Sequence, residues 1–186
     1  KDQGIHGCLM FRPLPPHLDS LAVCQTLDPE KDVDAITVGS MGGLLAQLEM
    51  GYPPCTPTAC LELLRFYHIP MEGQKVAVVG KSLTVGLPTA LLMMNEEATV
   101  SVCHSAAGCA GLIKADYVRP GQVVVDVGVN VGKDGVMRGD AAFEEVEPIV
   151  KAITPVPGGV GAITSTVLMA HVVEAAMRQK GLKEQR

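Results

Sequence analysis

Residues 74–88 read Gln74-Lys75-Val76-Ala77-Val78-Val79-Gly80-Lys81-Ser82-Leu83-Thr84-Val85-Gly86-Leu87-Pro88. Val76–Val79 is continuously apolar, which predicts a strand buried on both faces of a parallel sheet. A helical run, Thr89–Met94, follows the glycine turn, and the β-branched stretch Ala98–Cys103 reads as a second strand. Strand, glycine turn, helix and strand make a βαβ unit.

The turn itself has the pattern Gly80-x-Ser82-x-x-x-Gly86. Between a strand and a helix, such a turn exposes backbone N–H groups beside the positive end of the helix. A dinucleotide's phosphates bind in that setting. Ser82 stands where the usual G-x-G-x-x-G pattern has its second glycine, so a plain strand-to-helix turn is the competing reading. A triphosphate loop would need glycine at position 75, and Lys75 is there. NAD-selective sites carry an acidic residue near the end of the second strand. Here that end reads Cys103-His104-Ser105, with no carboxylate to repel a 2′-phosphate, and Lys81 adds positive charge. The expected cofactor is NADP, with NAD as the alternative.

Outward from this unit, Val123–Val127 reads as a further strand ending at Gly128-Val129-Asn130. Ala152-Ile153-Thr154 leads into a Pro- and Gly-rich segment, and a last helix spans about 163–178. Upstream, Gly7–Phe11 is extended and stops at Pro13-Leu14-Pro15-Pro16. A short helix follows over 18–26, then a carboxylate-rich turn from Asp28 to Asp34. Thr56-Pro57 reads as an N-cap with proline at the first helical position. Only 16 residues lie between Ser105 and Gln122. A crossover helix alone takes about a dozen residues and a further strand takes more, so a piece of the sheet is expected to be missing after His104-Ser105.

Composition narrows the function classes. The 186 residues are 47% hydrophobic, enough for a core, and the net charge is −5. With no basic block, nucleic acid is not an expected partner. No apolar stretch approaches the ~18 residues of a membrane span, and no membrane partner is expected. Lys1–Gly4 does not read as a leader. The six cysteines form no CxxC pair, and the five histidines show no ligand spacing. No metal is expected, and the compartment is expected to be reducing.

These motifs occur in order with four others: Pro13-Leu14-Pro15, Pro29-x-Lys31-Asp32-Val33-Asp34, Pro54-Cys55-Thr56-Pro57 and Ile153-Thr154-Pro155-Val156-Pro157-Gly158-Gly159-Val160-Gly161. Together they resemble the bifunctional methylenetetrahydrofolate dehydrogenase/methenyltetrahydrofolate cyclohydrolase family across nearly the whole chain. The resemblance implies an α/β fold, a Rossmann-type doubly wound parallel sheet with helices on both faces and a partial second α/β lobe at the N-terminus. The expected divisions are a folate lobe over 1–54, an NAD(P)-binding domain over 55–162 and a helix over 163–186 returning to the lobe. The implied activity is NADP-dependent oxidation of 5,10-methylenetetrahydrofolate and hydrolysis of the product to 10-formyltetrahydrofolate, in a cytoplasmic homodimer.

By position, the resemblance assigns the cofactor to Gly80, Lys81, Ser82, Ser105 and Val129. It assigns the tetrahydrofolate substrate to Asp34, Pro157, Gly158, Gly159, Val160 and Gly161. The family's catalytic lysine and adjacent tyrosine have no match here and are expected upstream of Lys1, so no catalytic residue is named. Phe11-Arg12 replace a glutamine often found in the family. Asp32 and Lys31 read as a local turn pair and His104 as a structural hydrogen bonder. A dehydrogenase without cyclohydrolase activity, or an inactive nicotinamide-binding relative, are the alternatives.

Overall fold

The computed structural model describes residues 2–104 and 108–182. Its elements run α1 (Ser20–Thr26), α2 (Val38–Ala46), α3 (Cys55–Phe66), β1 (Lys75–Val79), α4 (Gly86–Asn95) and β2 (Thr99–Cys103). Then come β3 (Val123–Val124), β4 (Asn130–Val131), β5 (Met137–Arg138), α5 (Phe143–Val146), β6 (Ala152–Ile153) and α6 (Val160–Gln179). The strand–turn–helix–strand unit read from residues 75–103 is present. β1 and β2 pair in parallel, with Val76 opposite Val100 and Val79 opposite Cys103. β3 and β6 also pair in parallel, while β4 and β5 form an antiparallel hairpin.

One expectation of the sheet is corrected. Among the described residues the parallel pairs β1–β2 and β3–β6 are separate two-stranded sheets. They nevertheless share one core layer. Leu61 and Leu64 of α3 and Met93 of α4 gather Val76 and Val100 from one pair and Val123 and Val125 from the other. A strand between the pairs, the element the short 106–121 connection has no room for, would join them.

The same deficit corrects the burial of β1. Lys75, Ala77 and Val79 are exposed and Val76 and Val78 partly buried, so only one face is covered. Val79, on the face opposite Val76 and Val78, keeps 43% of its surface, which marks the uncovered side. Continuous apolar sequence there predicted cover on both faces, and among the described residues the helices α3, α4 and α6 gather the valines of one face.

The helices reveal three further departures. α3 begins at Cys55 with Pro54 at its N-cap, so Thr56 does not cap it. The extended reading of Gly7–Phe11 reduces to a single parallel bridge, Cys8 to Asp32. α2 was not foreseen, because its glycines argue against a helix. It is started by Thr37, whose hydroxyl accepts from the Ser40 N–H. A Cβ at Gly43 would stand 2.4 Å from the Met50 carbonyl oxygen, so close approach of the following turn demands glycine.

The core is aliphatic and centred on α3 against α6. Cys55, Ala59 and Cys60 pack on Val160 and Val167, with Val125, Val127, Ile163 and Leu168 around them. At the other end of the helix pair, Val33 and Tyr52 meet Ala175. Asp32 organises the chain leading into this region. It is fully buried and accepts from the Ile36 N–H at 3.0 Å, the Thr37 N–H at 2.8 Å and the Ser40 hydroxyl at 2.7 Å. Three donors on one buried carboxylate, two of them buried themselves, make this a structural hub rather than a solvated turn residue.

Removing that acceptor strands buried donors, each costing about 1–3 kcal/mol. Asp32→Ala should therefore lose about 2–4 kcal/mol of unfolding free energy in urea, and Asp32→Asn, which keeps one oxygen, distinctly less. A loss below about 1 kcal/mol for the alanine variant would show that the loop does not depend on this carboxylate.

Candidate functional site

The turn after β1 is shaped by glycine. Gly80 has φ +123°, in the region that side chains rarely adopt. Gly86 opens α4 against it, and a Cβ at Gly86 would stand 2.1 Å from the Gly80 carbonyl oxygen. Helix and turn can approach this closely only without a side chain. Ser82 is exposed, and its hydroxyl accepts from the N–H groups of Val85 and Gly86, both at 3.1 Å. Ser82 therefore holds the turn closed from within. Lys81 beside it is exposed. An exposed lysine at a glycine turn that opens a helix is a setting fit for an anionic phosphate.

A second group of loops gathers at the end of β3. Asp126 is buried and accepts from the N–H groups of Gly128 (2.8 Å), Asp140 (3.1 Å) and Ala141 (2.8 Å). Its own N–H donates to the Thr154 hydroxyl at 2.8 Å, which ties the β3 end to the residue after β6. Asp140 continues the network, accepting from the Asn130 side-chain amide at 2.8 Å and the Gly108 N–H at 3.0 Å. A Cβ at Gly139 would stand 2.0 Å from Asp126 Oδ2, and one at Gly128 2.5 Å from Asp140. Between these fixed points Val129 is held out with 67% of its surface exposed.

Asp34 occupies a third position, half-buried beside α3. Its Oδ1 accepts from the Cys55 N–H at 2.8 Å, so a carboxylate distant in sequence takes the place of the missing N-cap side chain. The positive end of α3 favours that charge. Ala35 follows with φ +50°, a left-handed conformation that costs about 1 kcal/mol or more outside glycine. The Cys55 thiol is pushed up strongly, first by burial and then by Asp34, and burial raises the Cys60 thiol to about 12. Neither is a nucleophile near neutral pH, because the thiolate is the reactive form.

The segment before α6 combines closed and open positions. Gly159 is buried, and a Cβ there would meet the Pro155 carbonyl oxygen at 2.4 Å. Pro157, Gly158 and Gly161 are exposed, and a Cβ at Gly158 or Gly161 would meet nothing within 4 Å. Val160 is turned into the α3–α6 core beside Cys55, so its side chain faces that core. Ser105 lies outside the described residues. Reading the sequence alone did not identify the Asp126–Asp140 network or the Cys55 contact of Asp34. An aspartate ending an apolar strand at Asp126 was a usable signal, whereas the pairing of Asp34 with Cys55 joins positions 21 residues apart.

Residues 54–180 match the family model described as tetrahydrofolate dehydrogenase/cyclohydrolase, NAD(P)-binding domain. A bifunctional protein FolD of Carboxydothermus hydrogenoformans is 48% identical over 97% of this chain and 69% of its own length. That alignment runs over 199 residues against the 186 here, so the relative carries residues with no counterpart in this chain. The crystal structure of the Campylobacter jejuni bifunctional FolD has a TM-score of 0.92 at 38% identity, covering 96% of this chain and 69% of that one. The Trypanosoma brucei enzyme, solved with NADP cofactor and an inhibitor, has a TM-score of 0.86 at 33% identity, over 94% and 68% of the two chains.

Two glycines separate closeness from openness. Gly86→Ala forces α4 away from Gly80 and should lower the thermal midpoint by roughly 4–8 °C, the equivalent of about 2 kcal/mol in a chain of this size. Gly161→Ala, with open space over it, should leave the midpoint unchanged or raise it slightly. Equal midpoints for the two variants would contradict the packing described for Gly86.

Proposed function

The chain belongs to the tetrahydrofolate dehydrogenase/cyclohydrolase family, and from that premise we propose how its residues divide the work of oxidising 5,10-methylenetetrahydrofolate to the methenyl form with NADP and hydrolysing that product to 10-formyltetrahydrofolate. The observation that carries this reading is the Asp34 carboxylate. It is half-buried, is held by the Cys55 N–H, and sits on the helix pair whose other member opens with Pro157–Gly161.

Among the described residues Asp34 has one oxygen engaged by the Cys55 N–H and no backbone donor on the other. A pteridine presents an amino group and a ring N–H side by side, which a carboxylate can accept. Pro157, Gly158, Gly159 and Gly161, with the backbone of Val160, border the flat ligand, since glycine lets backbone approach a ring face closely. Gly80, Lys81 and Ser82 hold the dinucleotide's phosphates, Lys81 by charge and the turn by backbone N–H groups. Ser105 approaches the adenosine ribose or its 2′-phosphate, and Val129 packs against the nicotinamide. When bound, NADP accepts the hydride that leaves the methylene carbon. The protein's part is to bring the two rings within near-attack distance, and the Asp126–Asp140 network gives Val129 a fixed place from which to do so. These residues bind and orient; none is assigned the proton transfer.

The reading keeps the divisions 1–54 for the folate lobe, 55–162 for the dinucleotide domain and 163–186 for the returning stretch, which carries most of α6 and whose last four residues lie outside the described ones. The match to the NAD(P)-binding family model begins at 54, next to the first boundary. A homodimer in a cytoplasmic, reducing setting completes it, supported by six cysteines that are all unpaired.

The test is turnover. Incubation with 5,10-methylenetetrahydrofolate and NADP should yield NADPH and 10-formyltetrahydrofolate, and absence of both products would contradict the proposal. Asp34→Ala should lose most of the activity while its dissociation constant for NADP stays within about twofold, because the dinucleotide turn is built from β1 and α4 and Asp34 belongs to neither. Lys81→Glu should weaken NADP more than NAD, since repulsion acts chiefly on the extra phosphate. Equal losses for both cofactors would move Lys81 away from the 2′-phosphate.

A further inference from the structure

His171 is the one histidine among the described residues that is buried, with 6% of its surface exposed in the fourth turn of α6. Its Nδ1 lies 2.9 Å from the carbonyl oxygen of Val33. That oxygen has only lone pairs to offer, so Nδ1 carries the proton and donates. The Cys55 thiol reaches the same carbonyl at 3.4 Å and stands 3.7 Å from Nδ1. Burial and Asp34 keep Cys55 protonated, so its S–H is a second, weaker donor. The Tyr52 ring, 5.4 Å from the imidazole centroid, closes the side of the pocket.

Val33 is fully buried, and its carbonyl belongs to the peptide that leads directly into Asp34. Asp34 is therefore fixed from two directions. Cys55 N–H holds its carboxylate, and His171 with the Cys55 thiol holds the backbone one bond before it. On the far side of that short stretch, Asp32 pins the loop through Ile36 and Thr37. The hydrogen bond from His171 is the link by which α6, the helix that opens with the Pro157–Gly161 segment, fixes the aim of the Asp34 carboxylate.

We propose that His171 is a positioning residue for tetrahydrofolate recognition, acting through the Val33 carbonyl to hold Asp34 where it meets the pteridine. This rests on the reading of Asp34 as the pteridine contact. His171 itself touches no reacting atom, and the dinucleotide turn at Gly80 is built from β1 and α4, apart from it.

The experiment measures dissociation constants for 5,10-methylenetetrahydrofolate and for NADP separately by calorimetry on the full chain. Wild type is compared with His171→Leu, His171→Asn, His171→Ser and Asp34→Ala. His171→Leu removes the donor and should weaken the folate about tenfold, with NADP within about twofold of wild type. His171→Asn carries an amide N–H that can replace Nδ1–H and should restore folate binding to within about threefold. His171→Ser, polar but too short to reach Val33, should behave like His171→Leu and serves in its place if that variant does not fold. Wild-type folate binding in the leucine and serine variants, or equal weakening of both ligands, overturns the proposal. Asp34→Ala separates the two readings. If it alone weakens folate, the assignment of Asp34 stands and the role of His171 falls; if it binds folate as wild type does, the assignment of Asp34 falls and this inference with it.

Discussion

The packing of α3 on α6 is the contact on which both halves of the site depend. Cys55, Ala59 and Cys60 from one helix and Val160 and Val167 from the other form a core closed by Val125 and Val127 of the β3 region. Each helix carries part of the site at or near this core. α3 begins where Asp34 captures the Cys55 N–H, and α6 begins at the glycine segment and later supplies His171. The contact faces are small or β-branched, so the helices come close and have little freedom to slide. Interiors this dense resist the loss of even one methylene, and a change at Ala59 or Val167 would be felt along both helices.

Carboxylates do the local organising. Asp32, Asp126 and Asp140 each gather two or more donors, most of them from the loops between regular elements. Bonds to an ionised acceptor are stronger than those between neutral groups, and buried N–H groups must find partners somewhere. Glycine completes the scheme where backbone and carboxylate crowd together, as at Gly128 and Gly139. The result is a set of loops rigid enough to hold Val129 outward and Asp34 in place. Among the described residues Asp34 differs from the other three in taking an N–H donor on one oxygen only.

Much of this was legible in the chain itself. The apolar run Val76–Val79, its glycine turn and the β-branched stretch after it announced a parallel βαβ unit, because each signal is local. The shortness of the 106–121 connection gave reason to expect an incomplete sheet, and among the described residues no strand joins the two parallel pairs. What sequence could not supply were the consequences of that deficit for burial, since apolar character at Val79 does not say whether a helix covers it. The helix α2 escaped because its glycines argue against a helix, while one of them, Gly43, serves close approach to Met50. The role of His171 was illegible for a different reason: its partner Val33 is 138 residues away, and a backbone carbonyl leaves no mark in a sequence.

The central claim is that one chain places a pteridine on Asp34 and a nicotinamide beside Val129 so that their reacting carbons meet. The most direct measurement is a crystal structure of this chain with NADP and a tetrahydrofolate analogue bound together. It should show the nucleotide's phosphates at Gly80–Ser82, the pteridine amino group on Asp34, and the two reacting carbons about 3–3.5 Å apart. A pteridine lying away from Asp34, or rings separated by much more than that distance with both ligands in full occupancy, would contradict it.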